Sequence, residues 1–104
     1  PMAARLITIY GRDIPAQVMA KKGRQRIRHK LSDRFAQAID RAAMRAKKTD
    51  ADAYLDDWRR VSQRSDGEME SLVEARATAL EAEYDDARLD AIIRNKGMAP
   101  DQTG

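Results

Sequence analysis

Apolar residues recur along this chain with two different periods, and the change falls at Ser32. From Arg24 to Leu31 they alternate, with Ile27, His29 and Leu31 on one side and Arg26, Arg28 and Lys30 on the other, which is the period of a half-buried strand. After Ser32, a good helix N-cap, Phe35, Ile39, Ala42, Ala43 and Ala46 recur at helical spacing and predict a helix over 33–48. A chain that must bury a strand face and a helix stripe in one small core belongs to the α+β class.

The remaining elements extend that reading. Arg5 to Tyr10 is β-branched and aromatic and predicts a first strand, and Gly11 to Pro15 carries turn chemistry. Ala16 to Ala20 returns antiparallel, so the two form a hairpin that ends at Lys21-Lys22-Gly23. Arg24 to Leu31 supplies a third strand, although Ile27 and Leu31, four apart, also fit a helical turn. Thr49 and Asp52 resemble a second cap, after which Tyr54, Leu55 and Trp58 lie on one side of a short helical segment and Trp58 enters the core. Trp58 to Gln63 also alternates and fits a late strand.

Ser65 with Glu68 reads as a capping box, and Met69, Leu72, Val73, Ala77, Leu80 and Tyr84 follow as the stripe of the longest helix. Asp85-Asp86 caps or bends it, and Leu89, Ile92 and Ile93 form a last stripe that ends at Lys96-Gly97, with Gly97 placed for a left-handed C-cap. The expected architecture is a small antiparallel β-hairpin or three-stranded sheet covered on one face by two to three helices. Residues 1–97 form this single domain and 98–104 a flexible tail.

With 104 residues the chain buries a modest fraction of its surface, which argues against a deep private cleft. It contains no Cys, which excludes a disulfide framework, a thiolate metal site and a cysteine nucleophile, and suits a reducing compartment. The longest apolar stretch near the amino terminus, Leu6 to Tyr10, is too short for a signal-peptide core, and no membrane span is present, so the expected location is the cytoplasm. His29, the only histidine, stands among Arg26, Arg28 and Lys30 with no carboxylate to orient it, a poor setting for a general base. The acidic residues at 81, 83, 85, 86 and 90 lack the spacing and glycine of a calcium loop, and the five glycines stand apart from one another, so no phosphate loop is present. Pro1 precedes a Met2 that reads as the native start, so it is taken as the remnant of a removed tag rather than as the catalytic amine of a tautomerase. The expectation is a protein that is not an enzyme and holds no metal or cofactor.

Charge is the most informative feature for function. Residues 1–49 carry 13 Lys/Arg against 3 Asp/Glu, and residues 50–90 carry 5 against 13. If the two segments fold onto separate faces, the molecule has a basic and an acidic side, which favours oriented electrostatic docking; the alternative is that they pair with each other. Lys21, Lys22, Arg24, Arg26, Arg28 and Lys30 form the densest basic run. Such a run can grip a phosphate backbone, but no aromatic residue lies between Tyr10 and Phe35 for a base to stack on.

Three segments carry a family resemblance: Ile7 to Val18, with its Arg12-Asp13-Ile14-Pro15-Ala16-Gln17-Val18 string; Leu31 to Phe35 with Ala38 to Met44; and Asp52 to Arg60. Together they resemble the small alphaproteobacterial proteins named "virulence factor", which are similar to the carboxy-terminal domain of the conserved virulence factor C of staphylococci. Members usually carry Trp before the Arg, where this chain has Gly11. The resemblance carries over no catalytic residue. It implies a small companion of a one-carbon enzyme, such as a methylenetetrahydrofolate reductase or a corrinoid methyl transfer protein. Its docking face would then be the turn after Gly11 and the cations that follow: Arg12, Asp13 and Gln17 as polar contacts, with Lys21, Lys22, Arg24, Arg26 and Arg28 for steering. A nucleic-acid-binding module is the alternative.

Overall fold

A computed structural model of the chain describes residues 3–47 and 58–100. Four strands, β1 (Ala4–Gly11), β2 (Ile14–Lys22), β3 (Gln25–Lys30) and β4 (Trp58–Ser65), form one antiparallel sheet in the order β3-β2-β1-β4. Among the described residues three helices, α1 (Asp33–Arg45), α2 (Met69–Glu83) and α3 (Asp86–Arg94), complete an α+β fold. The expected third strand is present, and β4 adds a fourth. The strand alternative for Trp58 onward is therefore the correct one, and the expected segment between Thr49 and Asp57 lies outside the described residues.

Even-numbered residues of β1 and β2 face the helices. Ala4, Leu6, Ile14, Val18 and Ala20 join Phe35, Ala38 and Ile39 of α1, Val73, Ala77 and Leu80 of α2, and Leu89 and Ile92 of α3 in the main core. Thr8 is the buried polar residue there, and its Oγ1 accepts a hydrogen bond from Arg76 Nε at 3.2 Å, while Arg76 also reaches the Tyr10 hydroxyl at 3.3 Å. A register shift after Ile9 leaves Ala16 as an extra residue of β2, next to Pro15, which has no N–H to give to a ladder.

One cap expectation is corrected and a second is refined. The Ser65–Glu68 capping box does not form: Ser65 ends β4, Glu68 is the N-cap of α2, and no side chain caps that helix. At the end of α3 the N–H of Gly97 bonds Ile92 O at 2.8 Å and that of Lys96 bonds Ile93 O at 2.9 Å, a Schellman pair in which Gly97 has the expected positive φ (92°) and Lys96 (φ 61°), one residue earlier, is left-handed as well. Asp85 does cap α3, accepting from Arg88 N at 2.8 Å. Among the described residues no helix is long and apolar enough to cross a membrane.

Candidate functional site: a basic sheet face

On the side of the register shift away from the β1–β2 turn, Arg5, Ile7 and Ile9 of β1 and Gln17, Met19 and Lys21 of β2 face away from the main core, and the strand register arranges them with their neighbours in rows. Arg26, Lys21, Arg5 and Arg64 lie side by side across all four strands. The next row is Arg28, Met19, Ile7, Ser62, and the third is Lys30, Gln17, Ile9, Arg60. Seven cations thus surround a small apolar centre. The strands contribute no Asp or Glu at all; every described carboxylate sits on a helix or in a turn or connecting segment. None of the seven cations takes part in the ion pairs found among the described residues.

Ile7, Ile9 and Met19 form a separate cluster on this face and are no more than 9% exposed. Arg28 and Arg60, paired with Met19 and Ile9, and Arg5 and Lys21, two residues along from Ile7 and Met19, have aliphatic stems long enough to lie over them while the charged heads stay in water. Six of the seven cations are exposed and Lys21 is half-buried. Like charges placed directly opposite on neighbouring strands repel. At the strand spacing this amounts to up to about 0.8 kcal/mol per adjacent pair in water before salt screening. A row of four with no carboxylate among them is therefore a cost to folding that a bound anion would remove.

The sheet divides the eight residues expected at the docking face. Gln17, Lys21, Arg26 and Arg28 lie on the basic face. Lys22 alternates to the other side, near Glu68 and Glu70 at the start of α2, and Arg24 stands at the exposed tip of the β2–β3 turn. Arg12 and Asp13 do not join the face; they serve a fastening at the opposite end of the hairpin. Asp13 Oδ1 accepts from Arg59 at 2.8 Å and Oδ2 from Ala99 N at 2.6 Å, while the Asp13 N–H bonds Gly97 O at 2.9 Å. Arg12 donates to Lys96 O at 2.8 Å. These contacts tie β4 and the segment after α3 to the β1–β2 turn.

Arg5, Lys30, Arg60 and Arg64 also lie on the basic face but were not among the eight expected residues. The alternation of Trp58, Arg60, Ser62 and Arg64 in β4 was the available signal, but its neighbour β1 lies some fifty residues away in sequence, and only pairing with Ile9 and Arg5 brings these cations into the rows.

At the Lys30 end of the face the sheet meets α1. There Leu31, Ile39 and Trp58 line a hollow of about 210 Å³, with Gln17 and Lys30 on the strand side and Asp40 on the helix side. A second, shallower recess over Ile9 runs from Trp58 to Arg60.

These features define an α+β domain in which, among the described residues, the helices pack on one face of the sheet and the other face is a cationic surface with an apolar hollow at one end. The family model described as "Virulence factor" matches residues 9–93, and the chain belongs to that family. Neither the curated proteins nor the solved structures gave a match.

Proposed function

We propose that the protein is a non-enzymatic accessory or regulatory protein of the cytoplasm that docks on a larger protein through the basic face of its sheet. The observation that carries this is the carboxylate-free set of rows from Arg26 to Arg60, which complements an acidic surface and nothing neutral. The family resemblance makes a one-carbon enzyme, of the methylenetetrahydrofolate reductase or corrinoid methyl transfer type, the first partner to try. Nucleic acid is the second reading, since seven cations on one surface also suit a phosphate backbone. It is weaker because, among the described residues, Trp58 is the one aromatic bordering that face, at its end, whereas single-strand binders interleave stacking rings with cations.

The test is titration of the purified protein against such an enzyme by calorimetry. Binding is expected, lost in Arg5→Glu/Arg64→Glu and retained in Arg45→Glu, which changes an exposed cation of α1. Tight, steeply salt-dependent binding to single-stranded DNA with no protein complex would favour the second reading instead.

A further inference from the structure

We infer that the hollow between Trp58 and α1 is the anchor point of the docking face, taking one large apolar side chain from an acidic segment of the partner. This rests on the docking reading and specifies the chemistry of what docks. Charge alone gives orientation and rate, whereas affinity in an interface concentrates where an anchor side chain is desolvated in a pocket. The centre of the basic face offers only the shallower, more open recess over Ile9, where Ile7, Ile9 and Met19 are already buried. The hollow at its end does: about 210 Å³ walled by Leu31, Ile39 and the half-buried Trp58 accommodates a Leu- or Phe-sized group.

Its strand-side rim is basic. Lys30 and Gln17 continue the rows of the sheet, and Asp40 stands on the helix side. An acidic chain anchored there is drawn to the strand rim and runs over Lys30, Arg28 and Arg26, which lie along β3 toward the four-cation row. The partner segment therefore carries its apolar residue at one end and its carboxylates on one side of it, in a fixed direction.

Trp58 is the only tryptophan of the chain, so its fluorescence reports directly on this hollow. Two synthetic peptides serve as probes: a Leu followed by a run of alternating Glu and Asp, and the same peptide with Ser for Leu. The Leu peptide is expected to bind about tenfold tighter or more, the gain from burying one such side chain, and to shift the Trp58 emission. Ala36→Phe, which fills the hollow from the exposed side of α1, should abolish that preference and leave the Ser peptide's affinity unchanged. Arg5→Glu/Arg64→Glu should weaken both peptides alike. Equal affinity for the two peptides in the wild-type protein, or a preference that survives Ala36→Phe, overturns the anchor while leaving the docking reading in place. Binding of single-stranded DNA with neither peptide bound overturns both.

Discussion

Asp13 and Glu81 show how single carboxylates hold this fold at places where its elements meet. Glu81 accepts from the Ser32 N–H at 2.8 Å, the Ser32 hydroxyl at 2.9 Å and Arg34 at 3.2 Å, joining the end of α2 to the start of α1. Burial pushes its carboxyl up, but the hydrogen bonds from Ser32 and Arg34 outweigh that and hold it below the ordinary 4.5. Since the folded value lies below the unfolded one, the network contributes stability that is whole above about pH 4.5 and is lost as pH falls through the folded value. Glu81→Gln should therefore cost on the order of 1 kcal/mol in denaturant unfolding at pH 7, with the difference from wild type shrinking at pH 3. Gly97 is the other sensitive residue. Its φ is 92°, and a Cβ there would lie 2.7 Å from Arg12 Cδ and 3.2 Å from Ala42 Cβ. Gly97→Ala is expected to lower stability by about 1–2 kcal/mol, read as a drop in thermal midpoint.

Among the elements, α2 makes the long crossing of the sheet, and its stripe of Met69, Val73, Ala77 and Leu80 was legible because apolar residues at helical spacing need no partner to be recognised. Leu80 has no exposed surface, so Leu80→Ala should cost about 2–5 kcal/mol in equilibrium unfolding, whereas Met44→Ser at a 70% exposed position of α1 should fall within about 0.5 kcal/mol. β4 was harder to read. Its residues from Arg59 to Arg64 are exposed on both faces, so burial writes almost no period into them, and Trp58 fits equally well as a helix anchor or as the first residue of a strand. What makes it a strand is its regular pairing with β1 from Ala4↔Ser65 to Gly11↔Trp58.

At the scale of the whole molecule the helices and the sheet divide the charge. The basic face is not simply the basic amino-terminal segment folded up, since Arg60 and Arg64 come from the acidic middle of the chain. Arg34, in the basic segment, pairs instead with Glu81 and Asp86 on the helical side. If the four-cation row is retained for binding rather than for folding, stability and binding should move in opposite directions. Arg5→Glu places a carboxylate between Lys21 and Arg64 and is expected to raise unfolding free energy by up to about 1 kcal/mol while weakening capture of an acidic partner. A parallel loss of both would mean that the row serves the fold.

Read along the chain alone, the fold class, the three described helices and the first two strands were legible, with the third strand as one of two readings, and Gln17, Lys21, Arg26 and Arg28 were among the residues singled out before the basic sheet face was seen. These follow from periodicity, which is a property of neighbours along the chain. Tertiary structure alone decided that Arg12 and Asp13 fasten the hairpin to the segment after α3, and that Arg5, Lys21, Arg26 and Arg64 stand in one row. The reason is physical: which side chains share a face of a sheet depends on pairing between strands remote in sequence, and a strand exposed on both sides carries no burial pattern to announce its partner.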